Sequence, residues 1–131
     1  MSVAHPYPPV FRDRGAAGDV LARALTTLDL RDPLVIGLAR GGVEVADSVA
    51  RELDAPMDAL AVRKVGHPWY PEYALGAVTP DGAVFLRERD GLDRGAIEHT
   101  VAAARADAVA LDRLLHPTAP ILDPTGRTCV L

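Results

Sequence analysis

The stretch Val35–Val45, VIGLARGGVEV, decides how the chain folds. Leu34, Val35, Ile36 and Leu38 make a short apolar run of the kind that forms a strand with both faces covered. Gly41 and Gly42 follow, residues that permit positive φ and let another group approach the backbone closely. From Val43 the apolar positions recur at helical spacing, Val43, Ala46, Val49, Ala50 and Leu53. A glycine turn at a helix N-terminus leaves backbone N–H groups unpaired at the positive end of the helix dipole, which suits a phosphate. Arg40 adds a planar fork able to grip two phosphate oxygens. The stretch has neither the G-x-G-x-x-G dinucleotide fingerprint nor the G-K-[ST] of a P-loop. Taken alone, it also fits a plain strand-to-helix connection with Arg40 in solvent.

Outward from this centre, the pattern is that of an α/β protein. A helix is expected over Ala16–Leu28, with Val20, Leu21, Leu25 and Leu28 on its apolar face and Asp13 or Gly15 as its cap. Arg31-Asp32-Pro33 turns the chain into the first strand. Asp54-Ala55-Pro56 ends the second helix, and Met57–Val62 reads as a second strand, so strand, helix and strand form a βαβ unit with a parallel pair. Arg63–Glu72, RKVGHPWYPE, breaks the pattern with two prolines, a glycine and adjacent cations, and reads as a loop. Tyr73–Val78 and Ala83–Leu86 read as a hairpin around Thr79-Pro80-Asp81-Gly82. A long amphipathic helix is expected over Asp93–Leu115, followed by a Pro-rich loop and a last apolar strand at Arg127–Leu131.

A chain of 131 residues suffices for a single domain with one core, here residues 1–131, and the Pro-rich start makes residues 1–15 an extended arm. The net charge of −4 argues against a broad nucleic-acid surface, and no run of apolar residues is long enough to span a membrane. Neither nucleic acid nor membrane is therefore expected as a partner. One cysteine, Cys129, excludes an internal disulfide framework and fits a reducing, cytoplasmic setting; in an apolar strand it reads as a buried core thiol. His5, His67, His99 and His116 are scattered without ligand spacing, so no protein metal site is expected. There is no G-x-S-x-G elbow for hydrolase chemistry.

Ligands of open parallel sheets bind outside the carboxyl ends of strands. Arg40-Gly41-Gly42 and Arg63-Lys64 follow the two proposed strands and so fall on one edge, where they can share an anion. Trp69 and Tyr70 can stack on a base or simply pack the loop down.

These residues resemble the type I phosphoribosyltransferases, most closely the predicted phosphoribosyltransferase group. The resemblance rests on FRDR-x3-G near the start, LARGGVEVA at Leu38–Ala46, VRKVGHPWYPEYALGAV at Val62–Val78 and TGRTCVL at Thr125–Leu131. It implies a mainly parallel sheet with flanking helices and a hairpin with a flexible loop. It implies transfer of a phosphoribosyl group between phosphoribosyl pyrophosphate and a nitrogenous base, with Mg2+ carried on the pyrophosphate. Ala39, Arg40, Gly41 and Gly42 match the pyrophosphate-binding loop. Arg63, Lys64 and Glu72 match the catalytic loop, where fixed positive charge would act on the leaving group. The sequence stops before the family's paired-acid signature segment, so an incomplete fold, inactive alone and a homo-oligomer through its uncovered apolar surface, is expected. The second reading is a non-catalytic phosphate- or nucleotide-binding or self-associating module. The base is not named by any of these residues.

Overall fold

The computed structural model describes residues 10–87 and 91–131. Expectations that fall on residues 1–9, including most of the arm and His5, and on residues 88–90 lie outside the described residues. The elements run α1 (Arg14–Leu25), β1 (Pro33–Ala39), α2 (Gly41–Glu52), β2 (Met57–Ala61), β3 (Arg63–Gly66), β4 (Ala74–Val78), β5 (Val84–Leu86), α3 (Arg94–Leu115) and β6 (Thr128–Val130). They make a mixed α/β fold with one three-stranded sheet in the order β2-β1-β6 and another in the order β3-β4-β5. Contacts cluster in two compact units. The first holds α1, β1 as far as Gly37, α2 and β6; the second holds β3, β4, β5 and α3.

In the first unit, Asp13 caps α1: its carboxylate accepts the Ala16 N–H at 2.7 Å. That bond, with the neighbouring Arg12 side chain, lowers the Asp13 pKa despite the opposing effect of burial. Capping at Asp13 starts the helix at Arg14, so Arg14 and Gly15 belong to α1 and not to an extended arm. The helix also stops earlier than Leu28. The Thr26 and Thr27 hydroxyls donate back to the carbonyls of Arg23 and Ala24, competing with further helical turns. α1 lies close against α2: a Cβ at Gly18 would stand 2.7 Å from Ser48 Cβ and 2.9 Å from the Val45 carbonyl oxygen.

β1 is buried from Leu34 to Gly37, as a central strand must be. β6 pairs with it in parallel, Pro33 opposite Thr128 and Val35 opposite Val130, while the Val35 N–H donates to Pro56 O on entry to β2. Val35, Val49, Ala22, Ala46 and Ala50 form the core of this unit, with Leu53, Met57 and Val130 against it. Period-two alternation sends Val130 to that core and Cys129 the other way. Cys129 is accordingly exposed, not the buried thiol that its apolar neighbours suggest.

In the second unit the hairpin forms as expected: β4 and β5 are antiparallel, Gly76 opposite Leu86 and Val78 opposite Val84. Its turn is closed by Thr79 N–H to Ala83 O and by Gly82 at φ 93°, a conformation costly for any residue with a Cβ. The surprise is β3. Arg63–Gly66 is not loop but a third antiparallel strand, Arg63 opposite Val78 and Val65 opposite Gly76. Val65, fully buried beside Leu75, Val78 and Ala104, anchors it. α3 begins after Asp93, whose carboxylate accepts the Ala96 N–H, and buries Ile97, Ala104, Ala108 and Leu111.

Candidate functional site

β1 delivers the chain to Arg40 through a cis Ala39–Arg40 peptide, and α2 opens at once on Gly41 and Gly42. These glycines do not adopt positive φ; the glycines in that region are Gly82, Gly91 and Gly126. Gly41 and Gly42 instead lie in the first turn of the helix, and what Gly41 provides is room. The side chain of Arg14 occupies it, its guanidinium Nη2 3.0 Å from where a Gly41 Cβ would lie. Gly37 provides room likewise: a Cβ there would stand 2.7 Å from Val43 Cα. Within the first unit, then, the unpaired amides at the start of α2 have a cation beside them. Arg14 lies in the FRDR segment, to which the sequence attaches no role.

In the second unit, Arg40 and Arg63 come together. They line one cavity of about 300 Å³ with Asp107, Ala110, Leu111 and Leu114 of α3. Arg63 is half-buried and Arg40 exposed. Strand alternation separates Lys64 from this cavity: Arg63 and Val65 share one side of β3, and Lys64 is exposed on the other. Lys64 approaches Glu72 at 4.0 Å, and Glu72 is fully exposed, a geometry worth little in energy. The structure thus places Arg40 with Arg63, and Lys64 with Glu72 elsewhere. Asp107 escapes notice in the sequence. The signal for it is its place one helical turn before Ala110 and Leu111, on the face that the cavity uses.

Residues 67–73 are an ordered turn built on His67. Its Nδ1 accepts the N–H groups of Trp69 and Tyr70 at 3.2 and 3.3 Å, so the proton of the neutral ring sits on Nε2. The His67 N–H donates to Tyr73 O, and the ring packs with Trp69, Tyr70 and Tyr73. The aromatic rings remain more than half exposed.

The chain is thus a short α/β protein with a glycine-opened helix after its first strand and, separately, two arginines on one cavity. Over 106 residues, 81% of the chain, it is 47% identical to proteins of two Mycobacterium tuberculosis strains, each named "putative phosphoribosyl transferase". The chain spans 23% of the length of those relatives. A crystal structure of a Thermus thermophilus protein superposes with a TM-score of 0.65 at 44% identity, covering 83% of this chain and 55% of that one. No family model matches the chain. Among the described residues no helix is long and apolar enough to cross a membrane.

Proposed function

We propose that the chain carries the pyrophosphate-binding part of a protein that transfers a phosphoribosyl group between phosphoribosyl pyrophosphate and a nitrogenous base. The observation that carries this reading is the meeting of Arg40 and Arg63 on one cavity. They lie far apart in the chain and follow two different strands, yet they supply two cationic forks to one space. The names of the curated relatives support the reaction class. Arg40 and Arg63 would neutralise the charge that develops on the diphosphate as it leaves. Magnesium, which such a diphosphate carries, would add to that neutralisation.

A calorimetric titration with magnesium pyrophosphate, and separately with magnesium phosphoribosyl pyrophosphate, tests the reading. Binding is expected, and Arg40→Ala is expected to weaken it roughly tenfold or more, the worth of a charge-assisted contact. A folded chain that binds neither ligand overturns it.

The position of Lys64 and Glu72 outside the cavity favours a second reading, a phosphate-binding module without turnover. Under it, phosphoribosyl pyrophosphate is bound but its pyrophosphate is not released in the presence of any of a panel of purine and pyrimidine bases.

A further inference from the structure

We propose that a second cavity, of about 600 Å³ and lying within the second unit, binds a small organic cation: an apolar or aromatic body that carries an amine or amidinium group. Leu60 of β2, Pro80 of the β4–β5 turn, Val109 of α3 and Ile121 give the cavity apolar walls from four separate segments. Its charged side chains among the described residues are both acids, Asp81 at the exposed rim and the half-buried Asp112. An apolar cavity of this size with a few polar groups converging on it is the usual form of a small-molecule site.

The hydrogen bonding of the two acids says which class of molecule fits. The Thr79 hydroxyl and the Ala83 N–H donate to Oδ1 of Asp81 and lower its pKa, with burial opposing, so Asp81 is a carboxylate. Asp112 meets the His116 ring through its own Oδ1. The described bonds therefore leave Oδ2 of each acid for a further donor. The nearby cationic side chains have other partners. Arg105 donates from Nε to the Pro80 carbonyl at 3.2 Å, and the one imidazole of His116 is shared between Asp112 and Asp58. An anion is repelled by such a cavity, and a plain hydrocarbon would cover acids without supplying a donor. An ammonium or amidinium on an apolar body meets both parts of the wall.

This cavity is separate from the one that Arg40 and Arg63 line. Val109 and Asp112 lie roughly half a turn around α3 from Asp107, Ala110, Leu111 and Leu114, so the two cavities flank opposite sides of the helix. The proposal accordingly stands independently of any anion bound by the arginines.

The test follows the backbone amide NMR signals of the whole chain during titration with benzamidine. Benzamide and benzoate serve as neutral and anionic probes of nearly the same shape. Benzamidine should shift the amides of residues 79–83 and 109–112 saturably and bind about tenfold more tightly than benzamide, the worth of a charge-assisted contact. Benzoate should bind more weakly still. Asp81→Asn, which keeps an oxygen for the Thr79 and Ala83 bonds, should remove most of the preference for benzamidine over benzamide. The comparison of probes on the wild-type chain decides the matter even if this variant is destabilised. No saturable shift with benzamidine, shifts confined to other residues, or Asp81→Asn binding like wild type would each overturn the proposal. So would equal affinity for benzamidine and benzamide, which would make the cavity an apolar groove without selection for charge.

Discussion

The imidazole of His116 donates from Nε2 to Oδ1 of Asp58 at 2.9 Å, joining the end of α3 to the second residue of β2. On its other side, Nδ1 meets Asp112 Oδ1, also at 2.9 Å. With a carboxylate at each ring nitrogen the imidazolium is the favoured form. The hydrogen bond to Asp58 raises the His116 pKa, burial opposes it, and Asp112 adds to the rise. Burial would raise the Asp58 pKa, but the bonds from His116, the Leu122 N–H and the Ala59 N–H outweigh it and leave that pKa lowered. Asp58 thereby ties the Pro-rich segment after α3 to β2 through Leu122 N–H at 2.8 Å.

This pair predicts a bounded pH window for stability. The pKa of His116 is raised on folding, so its contribution is full below the ordinary histidine value of 6.5 and is lost as pH rises through the folded value. The pKa of Asp58 is lowered, so its contribution is present above 3.8 and is lost as pH falls through the folded value. Urea unfolding across the pH range should show a maximum between these limits. His116→Gln should cost about 1.5–3 kcal/mol at the maximum and remove the alkaline slope. An unchanged slope in His116→Gln would refute the assignment.

Alternation along β3 separates two adjacent cations. Arg63→Ala should weaken pyrophosphate binding roughly tenfold, whereas Lys64→Ala, on the other side of the strand, should change it less than about threefold. Equal losses in a titration of the two variants would mean that both side chains reach the ligand.

Close approach at Gly37 makes it the most sensitive glycine of β1 and α2. A Cβ there meets Val43 Cα at 2.7 Å and the Gly42 carbonyl oxygen at 3.0 Å, backbone atoms that cannot swing aside. Gly37→Ala should cost about 1–3 kcal/mol as overpacking, read as a lower urea midpoint. A midpoint within error of wild type would show that β1 and the start of α2 can move apart freely.

Exposure of Cys129 predicts that the single thiol reacts in the folded state. A maleimide should label the native chain to one equivalent without denaturant, at a rate comparable to that of the urea-unfolded chain. Labelling that requires denaturant would place the thiol in the core.

Several features were readable because they depend on a few neighbouring residues. The long helix α3 near Asp93–Leu115, the Thr79–Gly82 turn and the spacing of Val43, Ala46, Val49 and Ala50 each follow from local sequence pattern. So did the placement of Arg40 and Arg63 after two strands. β3 was not readable: one valine among Arg63, Lys64 and Gly66 shows no strand pattern, and only pairing with β4 makes one. The two glycines of the turn were expected to supply positive φ, and the actual role of Gly41, closeness to Arg14, depends on α1 folding over it.

The order of the three helices and of β1, β2, β4, β5 and β6, the glycine-opened helix after β1 and the placing of Arg40 and Arg63 after strands are settled along the chain. They need only hydrophobic periodicity, caps and breakers, all of short range. Which of those cations share a cavity, that Asp107 stands with them, that Cys129 faces outward and that His116 is held between two carboxylates were settled in three dimensions. Each depends on which side of a strand or helix faces a partner remote in sequence, and no local residue pattern encodes that choice.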